Sequence, residues 1–132
     1  MKRFFFSLLN VFFTISLLSI IGCNFLKLSK EHYALQDKCE KQCEAWSKSY
    51  KQKYPSDEFS YKSHYNNKLN QCFILVKYSR SQLKSLKNIN GNKLYGSFLS
   101  KPDSKTIICS VLENKCISEQ EWDLLVKPYM ED

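Results

Sequence analysis

Residues 59–79 read FSYKSHYNNKLNQCFILVKYS, and the two halves of this stretch decide the fold. Phe59, Tyr61, Ser63 and Tyr65 alternate with Ser60, Lys62 and His64, the period of a strand whose two faces differ. The segment from Cys72 to Tyr78 is dense in β-formers, as a strand buried on both faces would be. Asn66-Asn67 between them suits a tight turn, because asparagine tolerates positive φ. The stretch therefore predicts an antiparallel hairpin.

Working outward, LKSLKNINGNKLYGSFLS (83–100) predicts a second hairpin around Asn90-Gly91, and KTIICSVLENKCIS (105–118) supplies a fifth strand. Cys109 falls near the middle of that strand, and Cys116 follows a polar turn at Glu113-Asn114. Upstream, Leu35, Cys39, Cys43, Trp46, Tyr50 and Tyr54 recur at intervals of four or three, which predicts an amphipathic helix over about Glu31–Lys53 with one apolar stripe. Pro55 ends it, since the proline ring disfavours helical geometry at Tyr54. Downstream, Ser118-Glu119-Gln120-Glu121 has the form of a capping box. Trp122, Leu125, Val126 and Tyr129 then make an apolar face, and Pro128 should kink or end this helix near Lys127. The expected fold is α+β: an N-terminal amphipathic helix, an antiparallel meander of about five strands and a short C-terminal helix.

The chain opens Met1-Lys2-Arg3, followed by a mostly apolar run from Phe4 to Ile21, and then Gly22-Cys23. A basic start, an apolar centre and a small residue before the break form a secretory signal pattern. Ile20-Ile21-Gly22-Cys23 resembles the bacterial lipobox. That resemblance implies cleavage before Cys23, a diacylglycerol thioether on its sulfur and acylation of the new amino group. The alternative is an uncleaved anchor, since a span needs about 20 apolar residues. Against it stand Ser7, Asn10, Thr14, Ser16 and Ser19, which interrupt the run. The expected organisation is a signal peptide at 1–22, a lipidated tether at 23–30 and one small domain at 31–132. Either reading puts the domain outside the cytoplasm, facing the periplasm or the exterior. In many Gram-negative bacteria an Asp after the modified cysteine favours the inner membrane, so Asn24 leans toward the outer one.

Residues 23–132 carry 18 Lys and Arg against 13 Asp and Glu, unevenly placed. Residues 59–112 hold nine basic residues and the single acid Asp103, whereas residues 113–132 carry a net charge of −4. A basic middle beside an acidic tail implies internal pairing or an anionic partner. With Cys23 lipidated, Cys39, Cys43, Cys72, Cys109 and Cys116 remain. An oxidising compartment and a small core make disulfides the default for them. Five is odd, so one thiol is left over. Cys109 and Cys116 flank a short excursion and are paired first. A bridge from Cys39 or Cys43 to Cys72 would staple helix to sheet, and the unused helix cysteine is then a buried thiol or a site of intermolecular pairing.

These residues admit two chemical readings. Cys39, Cys43, Cys72, Cys109, Cys116, His32 and His64 offer enough ligands for zinc, but paired Cys-x2-Cys spacing is absent and the compartment favours oxidation. His64 and Cys72 lie on adjoining expected strands, where a base could activate a thiol. There is no Cys-x-x-Cys pair, no Gly-x-Ser-x-Gly elbow, and only three glycines in all, too few for a phosphate loop. The expectation is a non-enzymatic protein with no metal and no cofactor.

Tyr61, Lys62, Tyr65, Lys77, Lys93 and Tyr95 form the expected binding face, where lysine beside aromatics suits sugars, headgroups or anionic polymers. The expected partners are the membrane, through the lipid on Cys23, and an anionic envelope polymer or a protein. Nucleic acid does not fit this address. SHYNNKLNQCFILV (63–76), LYGSF (94–98) and EWDLLVKPYM (121–130) resemble recurring segments of small bacterial lipoproteins of unknown function, which supplies no catalytic residue. Lysozyme inhibitors share the size, anchor and β-rich character, but their Ser-Gly-rich loop has no counterpart beyond Tyr95-Gly96-Ser97. The expected role is binding or scaffolding in the cell envelope. Modulation of an envelope enzyme is the alternative, and a thiol-dependent enzyme the third reading.

Overall fold

In the computed structural model of the chain, residues 30–101 and 106–132 are described. The chain divides into two compact units, residues 1–34 and 35–132. Of the first, residues 30–34 are described; they are helical, and the His32 and Tyr33 rings lie 6.0 Å apart. Cys23, the signal pattern and most of the tether lie outside the described residues. Among the described residues no helix is long and apolar enough to cross a membrane.

The second unit has the expected α+β architecture, with six strands in place of about five. Within it, helix α1 occupies residues 35–53. It is followed by β1 (Phe59–Asn66), β2 (Gln71–Tyr78), β3 (Gln82–Asn88), β4 (Lys93–Lys101), β5 (Thr106–Val111), β6 (Asn114–Lys115) and helix α2 (Glu119–Met130). The strands form one antiparallel sheet in sequence order. The added strand is the two-residue β6: Leu112 takes φ 52° in the turn, and the chain folds back before Cys116.

The sheet is buried on both faces, which explains the unbroken apolar run of β2. On one face α1 packs Cys39 and Cys43 against Cys72, Ile74 and Val76, with Trp46, Phe59 and Tyr78 at the margin. On the other, Trp122 and Val126 of α2 pack against Phe73, Leu86, Phe98 and Val111. Burying a large aromatic such as Trp122 contributes about 3 kcal/mol or more. The sheet admits this ring at Gly96, where a Cβ would stand 2.7 Å from Ser110 O and 3.0 Å from Trp122 Cζ3. Next to it the register shifts, with Leu86 opposite Gly96 and Lys87 opposite Leu94. That bulge leaves Tyr95 to pack edge-on against Phe73 (5.1 Å) and against Tyr129 (5.5 Å).

Two local expectations are corrected. The first turn lies at Asn67–Asn70, not Asn66-Asn67; Asn66 ends β1 fully buried, and Asn70 takes the positive φ. The second hairpin turns around Asn90-Gly91 as expected, with Asn92 taking a positive φ of 46°. Helix α2 does not stop near Lys127 but runs through Pro128 to Met130. Pro128 lacks only its own amide, and Glu131 N–H still closes the last turn on Lys127 O at 3.0 Å. The Pro128 carbonyl is taken up by Asn66 Nδ2 at 2.9 Å.

Candidate functional site: the β1 side of the sheet

Cys39 and Cys72 form one disulfide and Cys109 and Cys116 the other, with Cα separations of 5.4 and 5.0 Å. Cys43 is the buried leftover thiol, its sulfur 3.8 Å from that of Cys72. Burial pushes the Cys43 thiol up to about 12, so little thiolate exists at neutral pH. The sulfurs of Cys39, Cys43 and Cys72 all lie within 4.8 Å of one another. Two of them are joined to each other, so this cluster as it stands is a staple with a spare thiol, not a ligand set. His64 does not approach Cys72: it pairs with Phe73 while Tyr65 pairs with Cys72, which puts the two side chains on opposite faces of the sheet.

The same alternation breaks up the expected basic–aromatic face. Tyr61 and Tyr65 face α1, and Tyr65 is buried with its hydroxyl donating to Asn70 Oδ1. Lys62 and Lys77 face α2. Tyr95 is built into the α2-side core, donating its hydroxyl to Gln71 Oε1 at 2.9 Å, while Lys93 Nζ sits 5.5 Å from its ring. Lys62 and Lys77 therefore stand apart from the other expected residues, and they share a cleft.

That cleft, about 770 Å³, runs between α2 and the outer strands. Lys62, His64, Leu75 and Lys77 form the sheet wall; Asp123, Leu124, Val126, Lys127, Met130 and Glu131 form the helix wall. Its acids are already engaged. Asp123 pairs with Lys84 at 3.2 Å and Glu131 with Lys127 at 3.5 Å. Lys84 also meets Glu119 at 2.5 Å, which holds the Glu119 carboxyl below the usual carboxylate range. These contacts offset the like charges of Lys84 and Lys77, which are directly opposite in the β2–β3 register. Among the described residues Lys62 and Lys77 make no direct ion pair, though Lys77 also helps to hold the Glu119 carboxyl down, so the cleft presents two cations beside an apolar floor. His64 Nε2 has no hydrogen-bond partner here, and Asp132 Oδ1 lies 3.6 Å away.

Two features of this side escaped the sequence. Asn66 holds the end of α2: Nδ2 donates to Pro128 O and Glu131 O at 2.9 and 3.3 Å, and Oδ1 accepts from Leu69 N–H at 2.9 Å. A second groove, about 420 Å³, lies on the opposite face between α1 and β1, lined by Asp37, Glu40, Lys41, Glu44, Tyr61 and Ser63. The acids at 37, 40 and 44 follow helical spacing, a legible signal once α1 is known to border the sheet edge. Comparison with family models, curated proteins and solved structures returns no match to this chain.

Proposed function

We propose that this is a lipid-anchored cell-envelope protein whose folded domain works by non-enzymatic binding, with the α2-side cleft as its recognition surface. The observation that carries this reading is the pairing of Lys62 and Lys77, both without an ion-pair partner among the described residues, with the apolar Leu75, Val126 and Met130. Desolvating such a wall favours a ligand with negative charge and apolar groups together. The anchor rests on the resemblance of Ile20–Cys23 to a lipobox, and stable membrane attachment requires more than one acyl chain.

Two measurements test the halves separately. The intact mass of protein extracted from membranes should equal residues 23–132 plus acyl chains; a full-length mass would remove the lipoprotein reading. For binding, the full chain and a Lys62→Glu/Lys77→Glu variant are compared for retention on immobilised poly-glutamate in a salt gradient. The variant should elute at clearly lower salt. Equal elution would rule out the cleft as the binding surface.

A further inference from the structure

The outer edge of β1 has an unusual distribution of free and covered backbone groups. In an antiparallel pair, bonded and non-bonded residue pairs alternate. Ser79 N–H donates to Glu58 O at 2.8 Å, which fixes the phase of the β1–β2 ladder. With the observed register, the bonded pairs are Ser60/Lys77, Lys62/Leu75 and His64/Phe73. The amides and carbonyls of Tyr61, Ser63 and Tyr65 therefore point away from β2. Tyr65 N–H confirms this phase, because it donates outward to Gln36 Oε1 at 2.8 Å. One step further, Asn67 N–H donates to Asp132 Oδ1 at 3.1 Å. The upper part of the edge is thus plugged, by α1 at Tyr65 and by the tail of α2 at Asn67. Tyr61 and Ser63 have no such plug among the described residues.

The open part is flanked on both faces. Ser63 lines the α2-side cleft and the α1-side groove alike, so the bare edge lies where the two meet. The two walls differ in charge. The α1 side carries three carboxylates, of which Asp37 pairs with Lys41 at 2.6 Å and Glu44 with Lys48 at 2.7 Å, so Glu40 is the one left without an ion-pair partner among the described residues. The α2 side offers Lys62 and Lys77 over apolar residues. A strand laid beside β1 would send alternate side chains to the two faces.

We propose that β1 accepts an extended peptide segment of a protein partner by strand addition at Tyr61–Ser63. Its side chains opposite Tyr61 and Ser63 are basic; one meets Glu40 and another competes with Lys48 for Glu44. Its intervening side chains are acidic or apolar and enter the cleft at Lys62. Main-chain bonds hold such a segment, and the two grooves read its alternating pattern. This rests on the cleft as the recognition surface and names its ligand class.

The test uses the full chain and a synthetic probe, acetyl-Lys-Val-Lys-Glu-Lys-Val-amide, with site-resolved amide exchange as the readout. The probe should slow exchange at Tyr61 and Ser63, and a version N-methylated on the bonding amides should bind about tenfold more weakly or worse. The charge-mirrored peptide, acetyl-Glu-Val-Glu-Lys-Glu-Val-amide, should bind more weakly to the native chain and better to a Glu40→Lys/Glu44→Lys variant, whose changes are on exposed helix positions. Binding that ignores N-methylation, or no added protection at Tyr61 and Ser63, overturns the proposal. So does full protection of these amides without probe, which would mean the edge is already covered by the chain itself or by a second copy. If the peptide fails while the Lys62→Glu/Lys77→Glu variant still loses polyanion retention, strand addition falls and the cleft stands. If both fail, the cleft reading falls as well.

Discussion

Removing Cys39 should not remove the helix-to-sheet staple. Cys39 and Cys43 are four residues apart on one face of α1, both buried, and both sulfurs lie beside that of Cys72. The Cys39–Cys72 bridge closes a separation of 33 residues, worth ~3.7 kcal/mol in the chain-entropy model. A Cys43–Cys72 bridge would close a separation of 29, worth ~3.6 kcal/mol. The difference is about 0.1 kcal/mol, far below the loss of the bridge itself. The raised pKa of Cys43 belongs to the folded chain and does not bar the switch in the unfolded chain, where the thiols are exposed.

Cys39→Ala should therefore melt within a few degrees of the native chain. The double variant Cys39→Ala/Cys43→Ala, and Cys72→Ala alone, should each fall by about 15–25 °C, taking roughly 5 °C per kcal/mol for a domain of this size. The assay is a thermal melt, paired with intact mass after alkylation under denaturing, non-reducing conditions. Cys43 should take up label in the native sequence and lose it in Cys39→Ala. Label on both Cys43 and Cys72 of Cys39→Ala, with a melt as low as the double variant, would refute the substitution of one sulfur for the other.

Other consequences follow from single contacts. Cys43 in the folded chain should resist iodoacetamide at neutral pH and react on unfolding. Its folded pKa is raised from 9.0 to about 12, so its contribution to stability is full below pH 9 and is lost as pH rises toward 12. A Cys43→Ala chain should lose less stability over that interval in pH-dependent melts. Asn66→Ala should cost about 2–3 kcal/mol, with faster exchange at the Leu69 amide, and Asn66→Asp should not rescue it because a carboxylate cannot donate to Pro128 O. Gly96→Ala should cost about 1–3 kcal/mol by overpacking and weaken the near-ultraviolet circular dichroism of Trp122. Lys84→Met should change stability by less than about 1 kcal/mol, because its partner acids are largely exposed; the Glu119 titration, followed by NMR, should move up toward the ordinary carboxylate value.

The parts of the fold written in local periodicity were legible. The stripe from Cys39 to Tyr50, the double burial of β2 and the cap at Ser118 each need only neighbours within a few residues. Even the cap carried a detail beyond reach: Ser118 Oγ accepts from Glu121 N–H at 3.2 Å, but Glu121 Oε2 accepts from Ile117 N–H at 2.9 Å, one residue before the cap. The cysteine pairing could be ranked because Cys109 and Cys116 are close in sequence and the second bridge had to join a helix to a strand. What resisted reading depends on the third dimension. Asn66 looks like a turn residue, and its bond to Pro128 O spans 62 positions. The aromatic and basic residues of β1 were grouped along the chain, whereas a strand assigns neighbours to opposite faces. Tyr61 and Lys62 are adjacent in sequence and line different grooves.

That division shows how so small a domain can leave one stretch of edge open without leaving the whole edge open. An exposed edge strand is a hazard for unspecific pairing, and proteins blunt it with charges or covers. Here each helix that covers a face also sends one side chain or tail to the edge, Gln36 from α1 and Asp132 beyond α2. At the other side of the sheet, β6 and the Cys109–Cys116 bridge cover the end of β5. Gln36 stands three residues before Cys39, so the Cys39–Cys72 bridge fixes the turn of helix that holds the plug on Tyr65. The same bridge fixes Asp37, Glu40 and Glu44 along the rim beside Tyr61 and Ser63. A staple at the centre of α1 thus has two effects beyond stability: it keeps the covered part of β1 covered, and it keeps the acidic wall in register with the part left bare.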